Sequence, residues 1–253
     1  MSISVCIITL NEAANLPRTL ASVRWADEIV VVDSGSTDLT CEIARECGAK
    51  VYIEEWKGFA AQKNSALDKA ASEWVLSLDA DEEVSEELAH SIGCVIGNTG
   101  ASIGYQVARR NLFLGRWMKH GGFYPDRKLR LWKHGAGRFA DRPVHETAVV
   151  SGPIGTLAGN LIHHAYPTLN EYIEHMNRYS SLGAQFAVNS GKSGKNIFSF
   201  IANVLVRPQL TFLYNYFLRL GFLDGREGLL SHLYHRSYVS WKYAKAWESE
   251  RGL

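Results

Sequence analysis

The stretch ISVCIITLNEAANLPRTLASVRWADEIVVVDSGST, residues 3–37, indicates the fold class of this chain. Residues 3–10 are a nearly continuous run of β-branched and apolar side chains, which is typical of a strand buried on both faces. Apolar residues between Leu16 and Val23 then recur at helical spacing, and EIVVVD (28–33) is a second buried strand. A strand, a helix and a second buried strand in this order predict one unit of a parallel sheet.

The same alternation continues to about residue 81. KVYIEE (50–55) predicts a third strand, Gly58–Ala71 an Ala-rich helix, and EWVLSLDAD (73–81) a fourth strand. Strands that alternate with helices favour an α/β fold, in which helices flank a mixed, mostly parallel sheet. After residue 100 the pattern changes, because residues 103–114 and 127–133 read as strands with alternating basic and apolar side chains.

Composition and charge further limit the class of protein to which the chain can belong. The 253 residues correspond to one large domain or one domain with an appendage, and 46% hydrophobic with 21% charged residues excludes a mainly disordered or coiled-coil chain. Residues 1–100 contain 7 Lys and Arg against 17 Asp and Glu, whereas residues 101–253 contain 20 against 9. Four cysteines without a CxxC pair indicate reduced thiols, and no secretory signal is recognised, so we expect a cytoplasmic location.

Three predicted strands end in polar or acidic residues: residues 9–12, residues 33–38 and residues 79–81. The carboxyl ends of parallel strands meet at one edge of the sheet, where ligands bind in α/β proteins. Carboxylates gathered there need a cation or hydrogen-bond donors to stay ionised. A hard divalent cation, bound together with substrate phosphates, can supply the positive charge. The ribose hydroxyls and the base of a nucleotide can supply the hydrogen-bond donors. The pattern therefore predicts a nucleoside-diphosphate site with Mg²⁺ or Mn²⁺.

These motifs resemble a known family. VCIITLNEAANLPRTLASV…EIVVVDSGSTDLT, FAAQKNSAL and VLSLDADEEV are similar to the GT-A domain of family 2 glycosyltransferases, over roughly residues 3–150. RKLRLWK…GRFADRPVHE and the C-terminal RPQLTFLYNYFLRLGFLDGREGLL further resemble the lipopolysaccharide and lipooligosaccharide core β-glucosyltransferase group. The resemblance implies a GT-A fold and transfer of a sugar from a nucleotide donor.

The resemblance also implies roles for particular residues. The nucleotide-sugar-binding positions that it implies are Thr9, Asn11, Glu12, Asp33, Ser34, Gly35, Lys63, Asp79 and Ala80. Among them, Asp33 matches the acid that contacts the uridine, and Lys63, where the family often has Arg, would reach the diphosphate or hold Asp79. Asp79 and Asp81 match the DxD motif, with Asp81 as the main metal ligand and Asp79 near the ribose and metal.

The basic second part of the chain provides candidates for the acceptor side. Inverting members of the family use an acid that removes the acceptor proton, and Glu146 is our candidate, with Asp141 in reserve. A salt bridge from Glu146 to Arg142 or Arg130 is the structural alternative. The candidates for binding anionic acceptor groups are Arg127, Arg130 and Arg138, for which a solvated basic face is the alternative.

The aromatic side chains of the second part have two readings. Trp117, Phe123 and Tyr124 form either a sugar-stacking wall or part of the core. The tail from Ile197 is the most apolar part of the chain, but Arg207 and Arg219 interrupt it. Interfacial amphipathic helices on the inner face of the cytoplasmic membrane are therefore favoured over a spanning helix. The alternative is that these helices cover the sheet or form a subunit interface.

Together these observations predict two domains: residues 1–165 for nucleotide sugar and acceptor, and residues 166–253 for membrane association. The predicted function is a metal-dependent, inverting transfer of a hexose, with glucose preferred, from a UDP-sugar to a glycolipid such as lipopolysaccharide core. A non-catalytic membrane-bound scaffold of a glycan-assembly complex is the alternative. The absence of a GxGxxG after the first strand disfavours a dehydrogenase, no DNA-reading motif supports a nucleic-acid partner, and no Gly-rich basic loop supports a nucleotidyltransferase.

Overall fold

The computed structural model of this chain describes residues 1–97, 102–140, 147–192, 194 and 196–251. The chain divides into two compact units. Unit 1 comprises Met1–Arg109 and Asp126–His164, and unit 2 comprises Arg110–Pro125 and Ala165–Leu253. The segment 110–125 thus belongs to unit 2, although the sequence assigned it to the N-terminal domain.

Eleven strands occur in the described residues. They are β1 (Ile3–Thr9), β2 (Glu28–Asp33), β3 (Lys50–Ile53), β4 (Trp74–Asp79), β5 (Glu82–Val84), β6 (Gly104–Phe113), β7 (Arg116–Trp117), β8 (Asp126–Lys133), β9 (Gly137–Ala140), β10 (Thr147–Val150) and β11 (Ile154–Tyr166). The main sheet has the order β3-β2-β1-β4-β8-β6-β11-β5, with β7 paired to the end of β6, and β9 and β10 form a separate hairpin.

Burial on both faces explains the long apolar run of the first strand. Ile3, Val5 and Ile7 are buried in one core cluster, whereas Cys6 lies in a second cluster with Val30. Because successive side chains of a strand point to opposite faces, a strand covered on both faces needs apolar residues at almost every position.

The strand register brings the acidic strand ends to one edge of the sheet. Strand β1 pairs in parallel with β2 and β4, so that Thr9 lies opposite Asp33 and Ile8 lies opposite Asp79. Strand β3 continues the parallel part, whereas β8 joins β4 in antiparallel orientation. The expected fold class, a mixed, mostly parallel sheet flanked by helices, is confirmed.

Helices cover this sheet and build most of unit 2. They are α1 (Leu16–Ser22), α2 (Thr40–Glu46), α3 (Phe59–Asp68), α4 (Glu86–Ile96), α5 (Leu169–Asn189), α6 (Ile197–Ile201), α7 (Arg207–Leu213) and α8 (Gly225–Glu250). The predicted fourth strand, 73–81, is shorter in the structure: β4 ends at Asp79, and the chain turns into β5 at Glu82. The turn places Asp81 outside both strands.

Unit 2 contains one helix that is almost entirely apolar. One π-helical segment, Ala202–Val206, joins α6 to α7, and a second, Tyr214–Leu218, extends α7. Together they form a continuous 22-residue helix, Ile197–Leu218, which we call the apolar helix. An 18-residue window of this helix has a mean hydropathy of 1.3, so by length and composition alone the helix is sufficient to cross a membrane. It packs on α8 through pairs such as Phe200 with Trp247, while Phe198 and Leu218 are 82% and 75% exposed.

Candidate active site

The side chain of Asp33, at the end of β2, holds the turn that follows this strand at the carboxyl edge of the sheet. Its Oδ1 accepts hydrogen bonds from the backbone N–H of Gly35 (2.9 Å) and Ser36 (2.8 Å). Its Oδ2 accepts from the hydroxyls of Thr9 (2.8 Å) and Ser36 (2.5 Å). Burial opposes ionisation, but these donors outweigh it and lower the pKa of Asp33. Asp33 is 0% exposed, so its predicted contact with a uridine stays a prediction and requires a ligand to replace one of these donors.

The residues after Asp33 shape the floor of the same turn. Gly35 has φ +93°, which glycine adopts without strain, and no atom lies within 4 Å of the position of a Cβ there. Asn11 also has a positive φ of 55°, and its Oδ1 accepts a hydrogen bond from the Thr37 N–H at 2.8 Å. The Ser34 Oγ is buried and has no hydrogen-bond partner within the described ranges. A buried hydroxyl without a partner is a natural contact for a polar ligand atom.

Asp79 ends β4 between two cations. Its Oδ1 lies 2.7 Å from Lys63 Nζ, and its Oδ2 lies 2.6 Å from Arg130 Nη2. Burial favours the neutral carboxyl, but the charges of Arg130 and Lys63 outweigh burial and hold the pKa of Asp79 well below its usual range. The Asp79 side chain is 29% exposed, whereas those of Lys63 and Arg130 are 6% exposed. The two cations therefore lie beneath the carboxylate.

Arg130 extends this network away from the edge. Its Nη2 also lies 2.7 Å from Glu82 Oε1, which Arg109 approaches at 3.4 Å. Arg109 in turn donates two hydrogen bonds to Asp126 Oδ2. Burial opposes the charge of Arg130, but the carboxylates of Asp79 and Glu82 outweigh it and raise its pKa. Carboxylates and guanidinium groups thus alternate in this network, and their charges compensate one another below the strand ends.

Asp81 is paired with a histidine of β11, the strand next to β5. His163 Nε2 lies 3.1 Å from Asp81 Oδ2, because β11 and β5 pair with His163 opposite Glu82. Burial raises the pKa of Asp81, but the hydrogen bond and charge of His163 lower it overall. Ala80 is buried, and its carbonyl accepts a hydrogen bond from the Thr19 hydroxyl at 2.7 Å. The turn between β4 and β5 is therefore tied to α1.

The Asp81–His163 pair fits a divalent cation. A carboxylate oxygen and an imidazole nitrogen are both metal-ligand types, and a bound cation would replace the 3.1 Å hydrogen bond between these two atoms. Asp79 fits less well, because both of its oxygens are already paired with cations. Within the described ranges no three His, Cys, Asp or Glu side chains form a complete cage. One or two protein ligands with substrate phosphates is the usual arrangement for Mg²⁺.

Glu12 shows that the acidic residues converge electrostatically. Burial raises its pKa, a hydrogen bond from Asn15 lowers it, and the charges of Asp81, Asp38 and Asp79 raise it further. Glu12 Oε2 accepts that hydrogen bond at 3.0 Å. The carboxylates at the ends of β2 and β4 therefore act on a side chain that follows β1, as the sequence predicts for this edge.

The three arginines proposed for the acceptor have different surroundings. Arg130 is buried in the network below Asp79. Arg138 forms an ion pair of 2.8 Å with Asp68, and both side chains are more than half exposed. Arg127 is exposed on β8. The structure thus separates these arginines, and Asp141 and Glu146 lie outside the described residues.

Two site residues were missed at the sequence level. His163 and Glu82 contribute to the site through the antiparallel pairing of β11 with β5. The only available signal was the pair of adjacent histidines at 163 and 164, the second of which contacts Glu83 at 3.1 Å. No periodicity relates residues that are about 80 positions apart in the chain, so the pairing itself had to be observed.

The network predicts a large stability effect at Arg130. Replacing Arg130 by leucine leaves the buried carboxylate of Glu82 without its closest cation, which we expect to lower the free energy of unfolding by about 3 kcal/mol. Urea denaturation measures the effect. Arg138→Leu is the matched control, since its exposed ion pair contributes about 0–1 kcal/mol.

The double variant R130L/E82L provides the second measurement. Because it removes a buried charge together with its partner, it should recover part of the loss seen in R130L. Equal stability of R130L and R138L would contradict the proposed importance of the buried network.

Comparisons with known proteins agree with this geometry. The family profile described as "Glycosyl transferase family 2" matches residues 4–149. The chain is 33% identical over 232 residues to a lipopolysaccharide core biosynthesis glycosyltransferase, LpsC, of Rhizobium meliloti (strain 1021), covering 89% of this chain and 82% of that protein. It is 32% identical over 244 residues to an uncharacterized glycosyltransferase of Rickettsia typhi, covering 91% and 82%.

Solved structures show the same fold. The mannosyltransferase PcManGT from Pyrobaculum calidifontis, in complex with GDP-Man and Mn²⁺, superposes with a TM-score of 0.53 at 17% identity, covering 96% of this chain and 85% of that one. Its fold agrees with the GT-A fold expected from the sequence. Because the family profile spans more than half of the chain and the Rhizobium relative exceeds 30% identity over most of its length, the chain belongs to glycosyl transferase family 2 and is a glycosyltransferase.

Proposed function

We propose that this glycosyltransferase moves a hexose, glucose, from UDP-glucose to a hydroxyl group of a glycolipid such as lipopolysaccharide core. The observation that carries the proposal is the carboxyl edge of the sheet, where Asp81 and His163 lie beside Asp79 and its two cations. The description of the Rhizobium relative as a lipopolysaccharide core enzyme supports the acceptor class.

The turn organised by Asp33 is the proposed nucleoside site. Thr9 and Asp33 hold it, and Asn11 and Gly35 supply its backbone shape. The Ser34 hydroxyl, which has no hydrogen-bond partner among the described residues, supplies a polar contact. Glu12 and Ala80 are proposed as further contacts of the nucleotide sugar: Glu12 lies within the field of Asp79 and Asp81, and Ala80 stands between these two aspartates. The carboxylate of Asp33 thus acts on the nucleoside mainly by fixing the turn.

Lys63 and Arg130 are the proposed counter-charges for the leaving diphosphate. Both pair with the more exposed carboxylate of Asp79, so their side chains are ordered before the donor binds. Positioned cations stabilise the charge that develops on the leaving group. Asp81 and His163 are the residues that would hold Mg²⁺ or Mn²⁺, with Asp79 adjacent. A bound divalent cation adds Lewis-acid stabilisation of the diphosphate.

The proposed reaction is a single displacement with inversion at the anomeric carbon. The acceptor oxygen forms a bond to C1 of glucose as the bond from C1 to the β-phosphate oxygen breaks, and UDP leaves. The acceptor proton passes to a carboxylate acting as general base. Glu146 is the proposed base and Asp141 the reserve; both remain assignments from the sequence.

The acceptor is proposed to meet the enzyme at the inner face of the cytoplasmic membrane. The apolar helix exposes large apolar side chains on the side away from α8, of which Phe198 and Leu218 are the most exposed. Apolar faces of this kind insert into the boundary between headgroups and acyl chains. Arg127 and Arg138 remain proposed contacts for anionic acceptor groups, whereas the buried Arg130 is assigned to the donor instead.

A donor and acceptor screen tests the function. Purified protein is incubated with UDP-glucose, UDP-galactose, UDP-GlcNAc or GDP-mannose, with Mn²⁺ or EDTA, and with lipopolysaccharide truncated in the core. We expect release of UDP and a gain of one hexose on the acceptor by mass spectrometry, only with UDP-glucose and metal. Transfer from GDP-mannose alone, or full transfer in EDTA, would contradict the proposal.

A further inference from the structure

The loop after β7, which contains Lys119 to Gly122, contacts the residues that follow the apolar helix within unit 2. The buried carboxylate of Asp224 accepts hydrogen bonds from the backbone N–H of Lys119 (3.1 Å) and of His120 (2.8 Å). Its other oxygen lies 2.9 Å from His120 Nδ1. Since Asp224 directly precedes α8, these bonds fasten the loop to the junction between the apolar helix and α8.

Arg219, just after the apolar helix, lies across the same loop. The Gly121 N–H donates to the Arg219 carbonyl at 2.8 Å. At Gly122, which has φ +92°, a Cβ would lie 2.2 Å from Arg219 Nη1. The positive φ favours glycine at this position, and the absence of a side chain leaves the space that the Arg219 guanidinium occupies.

Lys119 is held from the opposite direction by an aromatic ring. Its Nζ lies 4.4 Å from the centroid of Trp117, and the Arg110 guanidinium lies 4.0 Å from the same ring. The edge of Tyr124 also contacts Trp117, at a centroid distance of 5.3 Å. Cation–π contacts order these basic side chains without neutralising them.

Arg116, Lys119 and Arg219, all exposed, form what we call the cationic rim. Arg116 lies 3.6 Å from Glu227, whereas Lys119 and Arg219 make no ion pair in the part of the chain that the structure describes. Residues 110–125 and 197–223 contain no Asp or Glu at all. Within the described residues, the charge of Arg116 is therefore partly balanced by Glu227, whereas no acidic side chain pairs with Lys119 or Arg219.

Exposed apolar side chains adjoin the cationic rim. Around Arg219 they are Leu218, Leu220, Phe222 and Leu223. A basic cluster at the end of an apolar helix, with Trp and Tyr nearby, has the composition of a membrane interface, in which cations and aromatic rings sit at the headgroup level.

We propose that the cationic rim binds the phosphate headgroups of anionic lipids and fixes how the apolar helix lies in the leaflet. The inference rests on the membrane association proposed above and adds the chemistry of the partner. Charge complementarity carries it: Lys119 and Arg219, which have no ion pair within the described residues, lie beside an apolar surface and match a phosphate above acyl chains. Since Asp224 and Gly122 hold the loop, little ordering accompanies binding.

Vesicle co-sedimentation of the full chain tests the proposal. Wild type is compared on phosphatidylcholine vesicles and on vesicles that also contain phosphatidylglycerol, at low and high salt. We expect tighter binding to the anionic vesicles and a smaller gain at high salt, because salt screens exposed charges. K119Q/R219Q should lower affinity for the anionic vesicles about 25-fold, at roughly fivefold per basic residue near the surface, and leave binding to neutral vesicles unchanged.

Matched variants separate the possible results. R24Q/R45Q, two exposed arginines of unit 1, removes equal charge and should keep the anionic gain. K119Q alone, which does not disturb the packing on Gly122, should lose about fivefold. F198S/L218S should lose binding to both vesicle types. An unchanged anionic gain in K119Q/R219Q, or an equal loss in R24Q/R45Q, would overturn the assignment of the rim. Failure of wild type to bind any vesicle would instead overturn the membrane association itself.

Discussion

Asp81→Ala is expected to abolish metal-dependent binding of UDP-glucose and to reduce kcat by at least about 1,000-fold. The carboxylate lies 3.1 Å from His163 at the turn between β4 and β5, so its loss removes the proposed cation and the charge that stabilises the leaving diphosphate. Such stabilisation contributes several kcal/mol, and each 1.4 kcal/mol corresponds to about tenfold in rate. Calorimetric titration with UDP-glucose, with and without Mn²⁺, measures the binding.

Two further variants test whether the effect is specific to the proposed metal site. Asp68→Ala removes an exposed carboxylate of the same unit that pairs with Arg138, and it should bind UDP-glucose like wild type. His163→Ala should weaken the binding of Mn²⁺ even when no donor is present. Electron paramagnetic resonance, which detects the free ion, measures this binding. Metal-dependent binding of UDP-glucose that persists unchanged in D81A would remove Asp81 from the metal site.

Glu146→Gln should retain the donor affinity of wild type but lose turnover. The amide has a similar size and cannot accept the acceptor proton, and a general base typically contributes about 100-fold to 10,000-fold. Calorimetry with UDP-glucose and Mn²⁺ measures the affinity, and the rate of UDP release with lipopolysaccharide acceptor measures kcat. A variant that keeps its affinity for UDP-glucose but loses kcat has lost a general base, whereas loss of a donor-binding residue would lower the affinity.

Asp141→Asn decides between the two candidates for the base. If Glu146 removes the proton, D141N should keep most of its activity, and the pH dependence of its kcat should follow that of wild type. Normal turnover in E146Q together with a large loss in D141N would move the role to Asp141. Normal turnover in both would place the base elsewhere in the chain.

Much of the fold followed from local pattern. The continuous apolar run of β1 predicted a strand covered on both faces, and Ile3, Val5 and Cys6 are indeed buried in clusters on opposite sides. The polar endings after β1, β2 and β4 predicted one shared edge, and the register of Thr9 with Asp33 confirms it. These inferences succeed because strand alternation and parallel pairing are properties of short segments.

The roles of Arg130 and His163 did not follow from pattern. A basic strand residue looks like a solvated charge in the sequence, yet Arg130 is buried with Asp79, which lies 51 positions away. His163 reaches Asp81 only because β11 returns antiparallel beside β5. In both cases the sequence pattern does not reveal the interaction, because the partner residue is distant in the chain.

The sequence by itself therefore determined the class of fold, the acidic edge of the sheet and the family, since each depends on the order of short motifs along the chain. Only the tertiary structure decided that Asp79 holds two cations, that Asp81 faces a histidine and that a clamped loop gathers charge at the end of the apolar helix. The physical reason is that burial and ion pairing depend on distances between side chains, which strand pairing and helix packing create and local composition does not encode.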